Sequence, residues 1–157
     1  MKFTELFLIS LFIFSLICGI WFNSVFVYSM FAGMFLIIFY VFFTFFLVNN
    51  MSLISVFKKG SVNNLSSEQV TFSILSGFCY GISFVAITFQ TLSWPGSLFF
   101  VIIALISLVI SSITIVRQKK SELIPANFYK NILRRNIGIA LMVMLSLLFF
   151  KYPIYLK

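Results

Sequence analysis

The chain of 157 residues is too apolar and too sparsely charged for a soluble domain, because 62% of its residues are hydrophobic and only 9% are charged. Soluble domains are roughly 45–50% apolar and about 25% charged. We therefore expect an integral membrane protein of the all-α class. The expected architecture is a bundle of four to five transmembrane helices built from tight helical hairpins, with residues 1–157 forming one polytopic domain.

The residue types on which most enzymes depend are nearly missing from this chain. It contains no His and no Asp, and its three Glu lie at the ends of apolar runs or between them. A His base or a carboxylate pair is therefore not available, nor is a cluster of hard metal ligands. We expect a protein that is not an enzyme, without a catalytic residue, cofactor or metal site. We also expect no ionisable group at the centre of a span.

Five apolar runs follow one another along the chain: 6–22, 25–48, 70–92, 98–116 and 136–150. The first four are long enough to cross about 30 Å of hydrocarbon as helices, whereas the fifth is short. A helix beginning near Pro125 would give the fifth run a basic amphipathic first half. The first run also resembles a signal peptide, but no small-x-small site follows it, so we interpret it as a retained span.

Positive charge alternates between the connections. The loops 49–69 and 117–135 are basic, as is the segment before the first run, whereas the connections at 23–24 and 93–97 are uncharged. The positive-inside rule then predicts a cytoplasmic N-terminus and cytoplasmic basic loops. We expect the bacterial inner (plasma) membrane, with the mitochondrial inner membrane as the alternative. In the first loop, Ser66 and Gln69 match a capping box for the third helix.

Small residues recur at four-residue spacing within the spans. Such residues permit close approach of two helix backbones in lipid, where packing rather than hydrophobicity drives association. The third run contains a GxxxG motif. We expect helix packing at Ser73, Gly77, Gly81, Ser29 and Gly33.

The stretch TFQTLSWPGSLFF separates the third and fourth runs. Pro95 ends a helix, and Gly96 can adopt the positive φ that reverses the chain. Ser97 can cap the following helix, and Trp94 suits the membrane interface. These four residues predict an external hairpin turn.

A basic cluster separates the fourth and fifth runs, with Glu122 as the one acidic residue among its cations. Such a cluster at the inner membrane face favours anionic headgroups, whereas nucleic acid is not expected because nothing else forms a groove or stacking platform. The expected lipid contacts are Arg117, Lys119, Lys120, Lys130, Arg134 and Arg135.

Around Trp94-Pro95-Gly96, the stretch GISFVAITFQTLSWPGSLFFVIIALISLVI resembles small inner-membrane proteins of Bacteroidota with a Trp-Pro-Gly turn. It is similar in the same hairpin to the transmembrane motor protein of type IX secretion and gliding motility. That family carries Lys and His before the Trp, where this chain has Gln90 and Ser93. It also carries an acidic residue in the next helix, which 98–116 does not contain. The resemblance therefore implies the hairpin architecture and no proton-driven motor role.

These observations favour a non-enzymatic scaffold or subunit of a larger membrane assembly, with the lipid bilayer and other membrane subunits as partners. Three alternatives stay open: a small transporter or channel component, an organelle-encoded respiratory-complex subunit, and an immunity protein against a membrane toxin.

Overall fold

The computed structural model describes residues 2–21, 26–51, 65–118 and 125–150. Their regular elements are five helices: α1 (Lys2–Trp21), α2 (Phe26–Val48), α3 (Ser67–Thr91), α4 (Ser97–Gln118) and α5 (Ala126–Phe150). By length and composition, α2 to α5 can each cross a membrane, whereas the apolar stretch Phe3–Cys18 of α1 is shorter. The protein is an all-α membrane bundle, which confirms the expected fold class.

The start of α3 follows the predicted capping box. The Ser66 hydroxyl accepts a hydrogen bond from the Gln69 backbone N–H at 3.2 Å, and the Gln69 side chain accepts one from the Ser66 N–H at 3.0 Å. These two contacts satisfy backbone donors that the first turn of a helix leaves free. The box therefore begins α3 within three residues of the apolar run at 70–92.

The start of α5 differs from the predicted span at 136–150. The helix begins at Ala126, immediately after Pro125, whose carbonyl accepts a hydrogen bond from the Phe128 N–H at 2.9 Å. Residues 126–135, expected to belong to the loop 117–135, are therefore helical. The helix beginning near Pro125 that the sequence suggested is present, and in its first half polar side chains are interspersed with buried ones such as Phe128 and Ile132.

The centre of the bundle is α3, which packs against α2, α4 and α5. Its buried aromatic residues Tyr80 and Phe84 lie in the main core with Tyr40 of α2 and Phe12 of α1. By contrast, α1 packs mainly on α2 and leaves most of its large apolar side chains exposed. We call the end of the bundle where α2 ends and α3 and α5 begin the basic end, and the opposite end the turn end.

At the turn end, α3 finishes in a Schellman motif. The Trp94 N–H bonds to the Phe89 carbonyl at 3.0 Å, and the Ser93 N–H bonds to the Gln90 carbonyl at 3.1 Å. The rings of Phe89 and Trp94 also contact each other, with centroids 4.7 Å apart. This arrangement needs a left-handed residue before Trp94, and Ser93 supplies it at φ 51°.

The reversal after the Schellman motif is a type II turn over residues 94–97. The Ser97 N–H bonds to the Trp94 carbonyl at 3.1 Å, and Gly96 has the positive φ, 84°, that this turn requires. Trp94, Pro95 and Gly96 therefore make the predicted turn. Ser97 is the first residue of α4 rather than its cap, because the Gly96 carbonyl accepts from the N–H groups of Phe99 and Phe100.

We expect Ser93→Gly to raise the thermal stability of the protein in detergent, by about 0.5–1 kcal/mol in unfolding free energy. A left-handed conformation costs a non-glycine residue about this amount, and Gly removes that cost. Circular dichroism during heating measures the effect. The matched control is Ser97→Gly, at the first position of α4, where the residue is helical and no gain is expected. A lower melting temperature for Ser93→Gly would contradict the prediction.

Candidate functional site

A bidentate ion pair joins α1 to α5 inside the bundle. Arg135 of α5 donates through Nε to Glu5 Oε1 at 3.0 Å and through Nη2 to Glu5 Oε2 at 2.8 Å. The Tyr40 hydroxyl of α2 donates to the same Glu5 Oε1 at 2.9 Å. The side chains of Arg135 and Glu5 are 16% and 11% exposed, so the pair is largely removed from solvent and lipid. Both carboxylate oxygens are therefore engaged by protein donors.

Aromatic side chains hold the hydroxyl donor of this site in place. The Tyr40 ring stacks on Phe84 of α3 with centroids 5.1 Å apart and planes 10° from parallel, and it meets the edge of Tyr80 at 5.4 Å. The Tyr80 hydroxyl in turn donates to the Ile132 carbonyl of α5 at 3.4 Å. We call Glu5, Tyr40, Tyr80 and Arg135 the Glu5–Arg135 cluster. Four of the five helices supply it.

The depth of this cluster follows from helix geometry. At 1.5 Å per residue, Tyr40 lies about 12 Å from the end of α2 and Arg135 about 14 Å from the start of α5. Glu5 lies only about 5 Å from the start of α1 by the same measure. The Glu5 carboxylate therefore meets Arg135 and Tyr40 more than two helical turns inside α5 and α2.

This cluster corrects two expectations from the sequence. We expected no ionisable group at the centre of a span, and we expected Arg135 to contact anionic headgroups. Arg135 instead lies within the membrane-crossing helix Ala126–Leu148 and binds Glu5. The sequence could have indicated that Arg135 belongs to the helix. A helix that begins after Pro125 includes Arg135 and places it on the same face as Asn131, four residues earlier. Lys130 and Arg134 lie on the neighbouring, exposed face.

Polar contacts also connect the helices near the basic end. The Asn136 amide donates to the hydroxyls of Ser112 at 2.9 Å and Ser111 at 3.3 Å, which joins α5 to α4. The Asn49 amide, just after α2, donates to Ser73 of α3 at 2.9 Å. In lipid such contacts are worth about 0.6–2 kcal/mol each. They connect α4 to α5 and α2 to α3.

The small residues of α2 and α3 lie where these two helices approach each other. A Cβ placed on Gly77 would lie 2.9 Å from the Tyr40 carbonyl oxygen, and one on Gly81 would lie 3.0 Å from a Val41 methyl. Gly33 of α2 faces Thr88 in the same way. The other two residues expected in helix packing, Ser73 and Ser29, are fully buried.

The remaining cations of the predicted lipid contact are distributed unevenly. Arg117, Lys130 and Arg134 are exposed, whereas Lys119 and Lys120 lie outside the described residues. Within residues 2–21, 26–51, 65–118 and 125–150, no group of three His, Cys, Asp or Glu could hold a metal ion. The expectation that the whole protein has no metal or cofactor stays a prediction.

No family model matches this chain, and neither a curated protein nor a solved structure is significantly similar to it. Its class therefore rests on the fold itself: an integral membrane protein of the all-α class, in which an ion pair is buried among four helices.

Proposed function

We propose that this protein is a non-enzymatic scaffold or subunit of a larger assembly in the bacterial inner membrane. The observation that carries the proposal is the Glu5–Arg135 cluster. Both oxygens of the Glu5 carboxylate accept hydrogen bonds from protein groups on α2 and α5. The charged groups inside the bundle thus hold α1, α2 and α5 together.

Among the four helices long enough to cross a membrane, α4 has the least of its membrane-spanning window buried inside the bundle. Only 22% of its membrane-spanning window is buried inside the bundle, compared with 50% for α3. The face of α4 directed away from α3 and α5 carries large exposed apolar side chains: Leu98, Phe99, Ile102, Ile106, Val109, Ile110 and Ile113. We assign this face to the contact with neighbouring subunits.

A photo-crosslinking amino acid at Ile106 tests this role in the native host. We expect a discrete crosslinked species containing another membrane protein, identified by mass spectrometry. The matched position is Phe35 on the exposed face of α2, where lipid should be the main neighbour. If neither position crosslinks to protein and the chain runs as a monomer in mild detergent, the assembly role is wrong.

One observation favours the alternative of a transporter component. Buried polar side chains follow one face of α3 at spacings of three and four residues: Gln69, Ser73, Ser76, Tyr80 and Ser83. Ser76 has no hydrogen-bond partner for its hydroxyl within the described structure. A hydrophilic thiol reagent distinguishes the two roles in Ser76→Cys and Ser83→Cys variants. Rapid labelling of both would indicate a water-filled path and favour transport, whereas inert thiols favour the scaffold.

We further propose that the N-terminus and both basic loops are cytoplasmic and that the chain crosses the membrane five times. An impermeant thiol reagent applied to intact cells should label a Gly96→Cys variant and leave Ser61→Cys unlabelled. Position 61 lies outside the described residues, and its charged neighbours Lys58 and Lys59 motivate its placement. Labelling at position 61 would reverse the orientation. A cysteine at Lys157 reports separately on the fifth crossing.

Anionic lipid is the partner we propose for the exposed basic face of α5. Lys130 and Arg134 lie one turn apart and are both exposed, and each cation near an anionic surface is worth about 1 kcal/mol. We expect Lys130→Gln with Arg134→Gln to reduce the binding of anionic lipid in native mass spectrometry, by about tenfold or more. Arg117→Gln, which removes one exposed cation of the same predicted contact on α4, should reduce binding less than the double variant does. Unchanged binding in the double variant would mean that these charges serve only orientation.

A further inference from the structure

Both side chains that donate to the Glu5 carboxylate in the described structure belong to the α2–α5 part of the bundle. Arg135 presents two N–H donors, Nε and Nη2, and the Tyr40 hydroxyl presents a third. Three convergent donors around two oxygens form the geometry that proteins use to bind a carboxylate. Relative to Arg135 and Tyr40, Glu5 therefore lies where a bound carboxylate ligand would lie.

The donors are held in place by contacts that do not involve α1. Tyr40 is stacked on Phe84 and packed against Tyr80, both on α3 and both completely buried. The helix that carries Arg135 is fastened to α3 by the Tyr80–Ile132 hydrogen bond and to α4 by Asn136. The Tyr40 ring and the helix that carries Arg135 therefore have packing and hydrogen-bond partners on α3 and α4 that are independent of α1.

The attachment of α1 to the bundle is comparatively slight. It packs mainly on α2, and Phe3, Phe7 and Phe14 are each more than 60% exposed. Besides Glu5, its deep contact is Phe12, which is buried against Phe84 with ring centroids 5.8 Å apart. Glu5 and Phe12 thus reach the centre of the bundle, while Leu8, Ile9 and Leu16 pack against the edge of the core.

We propose that Arg135 and Tyr40 form a carboxylate-binding site that exists without α1, and that Glu5 is its resident ligand. Occupation of the site by Glu5 fixes α1 against the bundle, and vacating it leaves a site with affinity for another carboxylate. In the membrane an unpaired guanidinium is costly, so the emptied site favours binding of a carboxylate that reaches it. The cluster therefore makes the position of α1 depend on a ligand-exchange equilibrium.

Chemical rescue of the Glu5→Ala variant by acetate tests the site directly. Acetate corresponds to the part of the side chain that this substitution removes. The full chain is purified in detergent, and its melting temperature is measured in sodium acetate and in sodium chloride at equal ionic strength. We expect the variant to melt about 10 °C below the parent in chloride. Acetate should recover most of this loss in a concentration-dependent, saturable manner.

Three controls separate this binding site from a general salt effect. The parent, whose site is filled, should not respond to acetate, and neither should Glu68→Ala, which removes a carboxylate elsewhere. Glu5→Ala combined with Arg135→Met should lose the response, because the guanidinium is gone. A response of equal size in any of these proteins, or no response in Glu5→Ala, would overturn the proposal.

Failure of Glu5→Ala to fold in chloride does not leave the question open. The variant is then purified in acetate throughout. Folded protein obtained in acetate and lost on exchange into chloride supports the site, whereas failure in both salts overturns it. Glu5→Asp provides a second measurement, since it keeps the carboxylate on a shorter side chain. It should melt between the parent and Glu5→Ala and respond to acetate less than Glu5→Ala does.

Discussion

Arg135→Met should lower the unfolding free energy of the protein by about 3–5 kcal/mol, the range for breaking a buried ion pair from one side. The loss arises because the Glu5 carboxylate stays buried with the Tyr40 hydroxyl as its one remaining side-chain donor among the described contacts. Reversible unfolding in mixed micelles measures the difference. Arg134→Met is the matched control, because it removes the same side chain from the neighbouring exposed position.

The net contribution of the whole cluster to the unfolding free energy should be much smaller than the loss caused by Arg135→Met alone. Replacing all three members at once, as Glu5→Leu, Tyr40→Phe and Arg135→Met, leaves no buried charge and no unpaired hydroxyl. Apolar replacements of buried ion pairs are commonly neutral or stabilising. We expect the triple variant to lie within about 1–2 kcal/mol of the parent. If Arg135→Met unfolds like the parent, the pair is solvated and contributes little.

The sequence was sufficient to predict the helices whose signals are local. The apolar runs 25–48 and 98–116 end within two residues of α2 and α4. The capping box of α3 and the turn at Trp94-Pro95-Gly96 depend on neighbouring residues, and the structure contains both. The left-handed conformation of Ser93 was not predicted from the sequence. A Phe and a Trp five residues apart, followed by Pro95, are typical of a Schellman ending and could have indicated it.

The Glu5–Arg135 cluster could not be predicted in this way, because its members are far apart along the chain. The pairing of Glu5 with Arg135 depends on how α1, α2 and α5 are placed around α3, which no local pattern determines. Hydropathy also placed Arg135 wrongly, because a basic residue lowers the hydropathy of its segment and so indicates a loop. An ion-paired arginine inside a bundle is removed from lipid by its partner, so the helix tolerates it well below its polar end.

Gly77→Ala should destabilise the protein by about 1–3 kcal/mol, the usual cost of overpacking a filled interior. The added Cβ would lie 2.9 Å from the Tyr40 carbonyl oxygen. This neighbour belongs to the backbone of α2, so it cannot turn away as a side chain could. The two helices must separate, which also disturbs the ring of Tyr40 and its hydrogen bond to Glu5. Gly77→Leu should cost more, for the same reason.

Gly138→Ala provides the matched control, because it makes the same chemical change inside α5 where nothing lies within 4 Å of the new Cβ. Ala favours a helix over Gly by about 1 kcal/mol, so this variant should be as stable as the parent or more so. The same helix preference acts at Gly77, and the contact with α2 must outweigh it for the protein to be destabilised. The difference between the two variants in unfolding free energy therefore measures the cost of the close approach alone. Equal stability of Gly77→Ala and Gly138→Ala would show that α2 and α3 can separate without loss, and that the small residues of α3 are not required for their packing.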